Sequence, residues 1–234
     1  MTVIAVYEIL PSYAGREWKA SKPFLWGWTA STVLVLIAYP HHLLMGFVIP
    51  EWALIVGQVA SYTAGLPVLV VTAYSAFTLV YRSGIRWDAA SALLFLSMFG
   101  WAAGIVPAIV DATIMVNLVM HNTMWVPGHF HFYLLLGMAA MVFGFMYFLG
   151  HDREKGENVL DRLAVWVFAL SGLGFALVFL YAGKQGVPRR WAVHLPDWVV
   201  YDQLASLFAL AVMAAVLVFA VRFLLRVPRL LAMR

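Results

Sequence analysis

Cysteine is absent from the 234 residues. That excludes disulfides, iron–sulfur clusters, thiolate-bound copper and thiol catalysis within the chain. Charge is nearly as scarce: Asp, Glu, Lys and Arg make up 11% of the sequence, against about a quarter in a soluble domain. So few charges cannot cover a water-facing surface, and a soluble enzyme is excluded. What fills the chain instead is apolar, with 64% hydrophobic residues and a mean hydropathy of +0.89. One membrane crossing takes about 20 residues, so the sequence reads as a polytopic, all-α membrane protein. The first ten residues, MTVIAVYEIL, lack a basic start and a small-residue cleavage site, so no cleavable leader is expected in them.

Apolar runs between polar punctuation predict six spans, Pro23–Val48, Trp52–Tyr81, Trp87–Val110, Asn117–Gly150, Leu160–Gly183 and Trp198–Phe223. Met1–Leu10 is apolar but too short to cross, and reads as the tail of a preceding helix. The chain thus divides into a cytoplasmic-side tail and loop (1–22), a six-helix membrane domain (23–226) and a cytoplasmic C-terminal tail (227–234). Twelve of the fifteen Lys and Arg fall on one side of these spans, so the net charge of +4 reflects topology rather than nucleic-acid binding. By the positive-inside rule both termini are cytoplasmic. The other side holds only Lys184, Arg189 and Arg190. These are either solvated loop residues or, for the arginine pair, the holders of a buried anion.

Ionisable groups inside a span are costly and usually functional. His41 and His42 precede the outer end of the first span by about seven residues, or about 10 Å. His129 and His131 lie at comparable depth in the fourth, about 15 Å in, or less if its helix begins near His121. Residues two apart on a helix point about 200° away from each other. His129 and His131 therefore face opposite flanks, where each is placed to bind a separate metal or haem. Adjacent His41 and His42 differ by about 100° and reach one centre if the helix is distorted locally, as Pro40 favours. A lone intramembrane His is often only an interhelical hydrogen-bonder; two pairs at one depth are harder to explain so. His151, beside Asp152, Arg153 and Glu154, reads as solvated, and His194 as structural.

The run His121-Asn-Thr-Met-Trp-Val-Pro-Gly-His129-Phe-His131, with Tyr39-Pro-His41-His42 and Val187-Pro-Arg189-Arg190, resembles subunit I of the haem-copper oxygen reductases, and its wording is closest to the B-type branch. The resemblance covers nearly the whole chain in order and topology. It implies the C-terminal half of a twelve-helix bundle, starting at the end of a helix that carries Tyr7-Glu-Ile-Leu-Pro11. A subunit encoded in two pieces and a fragment are both compatible with that. The function implied is a respiratory terminal oxidase, reducing O2 to water at a haem-copper centre coupled to proton translocation.

The same resemblance assigns His129 to a high-spin haem iron, His131 to a low-spin haem iron, and His41 and His42 to one copper. Arg189, Arg190, His121 and Asn122 are assigned to haem propionates. Tyr7 and Thr72, continued by Ser75 and Thr78, resemble a proton path, although hydroxyls are also common packing groups in membrane helices. Asn122 departs from the His-Asp pair that some branches place near a non-redox metal. Two haems and a copper are thus shared with a missing N-terminal half. A subunit II-like electron-entry partner, cytochrome c or quinol as donor, O2 and lipid complete the implied set, in the inner or plasma membrane of a prokaryote. A nitric oxide reductase relative adds a carboxylate near the metal, and no Asp or Glu is expected inside the spans near His41 or His42. A proton-relaying transporter would carry no haem, and an isolated b-type cytochrome would need both axial ligands within this chain.

Overall fold

The computed structural model describes residues 2–43, 48–150 and 158–226; side chains of residues 2–5, 41 and 42 lie outside the description. It is helical throughout, with one isolated bridge between Thr123 and Pro188. The helices are α1 (Thr2–Ala14), α2 (Lys22–Ala38), α3 (Glu51–Val80), α4 (Ala89–Ala112), α5 (Ile114–Met120), α6 (Trp125–His131), α7 (Ala140–Leu149), α8 (Val159–Lys184) and α9 (Val199–Leu224). A π-helical stretch, Phe132–Ala139, joins α6 to α7 as one rod.

Among the described residues, five helical stretches are long and apolar enough to cross a membrane: Glu51–Val80, Ala89–Ala112, Trp125–Leu149, Val159–Lys184 and Pro196–Leu224. The sixth expected span is the shorter α2. Ser21 caps it through Phe24 N–H and Pro23 sits in its first turn, as N-termini favour. Its α-geometry ends at Ala38, and Tyr39–Leu43 continue as a 3-10 turn. Pro40 explains the change, because it lacks the N–H that the ladder requires.

The fourth expected span also starts later than the hydropathy suggested. Residues from Asn117 to Met120 belong to the separate α5, and the continuous rod begins at Trp125. The break is fixed by a non-local contact: Met124 N–H donates to the Val187 carbonyl at 2.9 Å and Arg189 N–H to the Asn122 carbonyl at 2.9 Å. Backbone groups that would have propagated the helix are thus taken up by the 187–189 loop.

Helix α4 is central, packed against α1, α3, α6, α7 and the π segment, while α2 pairs with α3 and α8 with α9. Small residues set how close these axes come, as expected where lipid removes the hydrophobic incentive to associate. A Cβ on Gly100 would overlap the backbone of Leu136 and Gly137, and one on Gly183 the backbone of Trp125. Leu93, Ala140, Phe168 and Phe219 fill the core between α4, α7, α8 and α9.

Candidate haem-binding site

Placement of His129 and His131 follows from the four residues between the start of α6 and His129. At 1.5 Å each, His129 lies about 6 Å beyond that start, because the rod begins at Trp125. The two rings do face opposite flanks. His129 lines a cavity of about 570 Å³ between α2, α3, α4 and α6, with Asp111, Trp101 and Tyr133 beside it. His131 points instead to α8, edge-on to Phe175 at 4.9 Å and Phe179 at 5.5 Å between ring centroids.

The His131 ring is also fixed in tautomer. Its Nδ1 lies 2.6 Å from the Pro127 carbonyl, which only accepts, so Nδ1 carries the proton and donates. Nε2 is then the nitrogen that carries the lone pair, the usual arrangement of a metal-binding imidazole. The π-helical stretch begins at the next residue; such widened turns occur often at functional sites.

The arginine pair arrives from the other end of the chain. The contacts that hold residues 187–189 on Asn122–Met124 bring Arg189 beside Asn122. Arg189 Nε is buried with no hydrogen-bond partner among the described residues. Burial, then the neighbouring Arg190 charge, push the Arg189 pKa down, and Asp111 partly restores it. A partly buried, incompletely paired guanidinium is costly, and an anion at this place would offset that cost. Arg190 is exposed and held at φ 68°, a left-handed conformation that costs a non-glycine residue about 1–2 kcal/mol. His121 Nδ1 pairs with Asn117 Oδ1 at 2.9 Å.

Two residues escaped the sequence reading. Asn117, 1% exposed, donates to the Asp111 backbone carbonyl at 2.6 Å while holding His121. Asp111 closes α4 with its carboxylate buried in the cavity wall. Both signals were present as polar residues inside the apolar run from Ile105 to Met120. Asp111, one residue beyond the expected third span, lines the same cavity as Tyr39, two residues before His41; the expectation that no carboxylate lies near His41 or His42 concerns side chains outside the described residues.

Of the other expected residues, His41 and His42 lie on the 3-10 turn, with side chains outside the described residues. His151 also lies outside them. His194 is structural as expected, with Nδ1 paired to Asp202 and Nε2 to the Trp191 carbonyl. Thr72 lines the cavity, and the buried Tyr7 hydroxyl lies near Thr72 and Trp28. Ser75 is not part of the cavity wall, and the Thr78 hydroxyl donates to the Tyr74 carbonyl at 2.6 Å. No group of three or more His, Cys, Asp or Glu able to hold a metal occurs among the described residues. Axial haem ligation, however, takes one imidazole from one face and needs no such group.

An all-helical bundle of membrane-length helices that sets single imidazoles on two flanks of one rod, beside a partly buried arginine, is an arrangement that fits a haem-bearing respiratory subunit. The comparisons agree. A family described as cytochrome c and quinol oxidase polypeptide I matches residues 1–218, and the chain belongs to that family, subunit I of the haem-copper oxidases. It is 24% identical over 216 residues to cytochrome c oxidase polypeptide 1 of Halobacterium salinarum, covering 90% of this chain and 35% of that protein. To cytochrome c oxidase subunit 1 of Thermus thermophilus it is 27% identical, covering 82% and 38%. A probable quinol oxidase subunit 1 of Staphylococcus haemolyticus gives 24%, covering 87% and 31%. The chain thus spans about a third of the length of these relatives. A heme-copper terminal oxidase dimer solved by cryo-EM shares the fold, with a TM-score of 0.75 at 21% identity over 96% of this chain and 45% of that one.

Proposed function

We propose that this chain supplies the C-terminal part of the catalytic subunit of a prokaryotic respiratory terminal oxidase, of the B-type branch, reducing O2 to water with coupled proton translocation. The observation that carries the reading is the opposed orientation of His129 and His131, with Arg189 held over the same end of the rod. In this reading α2 and its 3-10 turn form the sixth span. The 17 residues of α2 reach about 26 Å and the turn adds about 10 Å, against a hydrocarbon core of about 30 Å. Six crossings put both termini on the basic, cytoplasmic side. The remaining helices of a twelve-helix bundle come from an N-terminal half. An electron-entry subunit, fed by cytochrome c or quinol, is the further partner.

His129 would hold the high-spin haem, His131 the low-spin haem, and His41 and His42 the copper, completed by the N-terminal half. When bound, these groups supply the redox chemistry of oxygen reduction. The protein's own residues orient and insulate it. The Pro127 carbonyl fixes the His131 tautomer, and the edges of Phe175 and Phe179 keep that ring in one plane. Arg189 and Arg190 neutralise propionates, with His121 and Asn122 at the same end. Protons reach the site along hydroxyls: Tyr7 lies near Thr72, and the cavity runs from Thr72 back along α3 to Ser61, past Asp111 and His129. That stretch of α3 is about 17 Å long, and Ser75 extends it toward the basic side.

The test is ligand replacement in the assembled complex. His129→Ala should remove the high-spin haem and His131→Ala the low-spin one, each read as half the haem content with the other spectrum intact. Full haem content in both variants overturns the reading. Metal analysis should find copper; non-haem iron in its place would instead make Asp111 part of a nitric oxide reductase-like site.

A further inference from the structure

Asp111 has no assigned role in the reading above, yet it is the acidic group in the wall of the His129 cavity. It is buried, with one carboxylate oxygen, Oδ1, making no hydrogen bond among the described residues. Its other oxygen, Oδ2, lies 3.8 Å from His129 Nδ1. Its backbone is anchored there: the Asp111 carbonyl accepts from the Asn117 amide at 2.6 Å. The Arg189 guanidinium is near enough to act on the carboxylate electrostatically.

A ligating imidazole commonly gives its second ring N–H to a carboxylate or carbonyl, which fixes ring orientation and raises ligand basicity. A negative oxygen does this more strongly than a neutral one, because the bond is charge-assisted. We propose that Asp111 is the positioning carboxylate for His129, orienting the ring and making it a more electron-rich axial ligand. This inference rests on the assignment of His129 to a haem. At 3.8 Å the pair is in ion-pair range but beyond a direct hydrogen bond, and contacts of this kind tighten when the site is filled. Binding iron through Nε2 leaves Nδ1 on the side of Asp111.

The experiment compares Asp111→Asn, Asp111→Glu and unaltered protein in the assembled oxidase complex. The Asn variant keeps the shape and removes the charge; the Glu variant keeps the charge. Expected for Asp111→Asn are a lower iron–histidine stretching frequency of the ferrous high-spin haem, a higher midpoint potential, and haem affinity reduced about tenfold. Asp111→Glu should recover much of the frequency and potential. The low-spin haem on His131 serves as the internal control for folding and should keep its spectrum. An unchanged frequency and potential in Asp111→Asn, with both haems present, overturns the inference and leaves the haem assignment standing. High-spin haem retained in His129→Ala overturns both.

Discussion

Arg189 and Arg190 are neighbours in sequence with different physical situations. Arg189 is partly buried with an unpartnered Nε, whereas Arg190 is exposed. If Arg189 meets a propionate, the bond is charge-assisted and worth about 1.5–3 kcal/mol, or roughly 10- to 160-fold in affinity. Arg189→Gln is therefore expected to weaken haem retention by that factor, measured as haem transfer to an apo-globin acceptor. Arg190→Gln should change retention by less than about fivefold, since exposed ion pairs contribute about 0–1 kcal/mol. Equal losses in the two variants would contradict the distinction that burial draws between them.

At the scale of elements, the junctions around the histidine rod depend on backbones touching. Gly100 on α4 lies against Leu136 in the π-helical stretch, and Gly183 on α8 against Trp125 at the start of α6. A methyl group at Gly183 overlaps backbone, which moves only by displacing a helix. Overpacking of that kind costs about 1–3 kcal/mol. Gly183→Ala should lower the midpoint of thermal haem loss from the complex, whereas the same change at Gly84, which has open space around it although φ is +69°, should leave that midpoint nearly unchanged and cost only local backbone strain.

The spans α3, α4, α8 and α9 were legible in the sequence to within two residues of their expected ends, because long apolar runs bounded by polar residues admit little else. The opposed faces of His129 and His131 were legible too, since helical geometry alone dictates them. What was not legible arose from contacts between distant segments. The break before Trp125 depends on the 187–189 loop, more than sixty residues away, and hydropathy carries no trace of it. The π-helical stretch left no mark in FYLLLGMA. Asp111 and Asn117 were visible as polar residues in an apolar run, but only the fold turns Asp111 toward His129.

For the molecule as a whole, two arginines near the end of α9 hold helices together. Asp161, 2% exposed, accepts from Arg222 Nε and Nη2 at 2.9 Å each, from Arg226 at 3.4 Å and from the Tyr147 hydroxyl at 2.8 Å. Arg226 also lies over the Tyr147 ring at 5.0 Å. This group ties α7, α8 and the end of α9 together at one membrane face, far along the rod from the histidines. A buried pair of this kind adds little net stability over apolar packing, but removal of one partner strands the others, at about 3–5 kcal/mol. Asp161→Ala is therefore expected to destabilise the assembled complex by that amount in a denaturant titration. Adding Arg222→Leu to the same chain should recover part of the loss, because one stranded cation is then gone. The haem spectra of both variants should match those of the unaltered protein below the unfolding transition, since the clamp touches neither His129 nor His131. A double variant less stable than Asp161→Ala by the full cost of a second lost contact would show that Arg222 holds α9 through its stem rather than its charge.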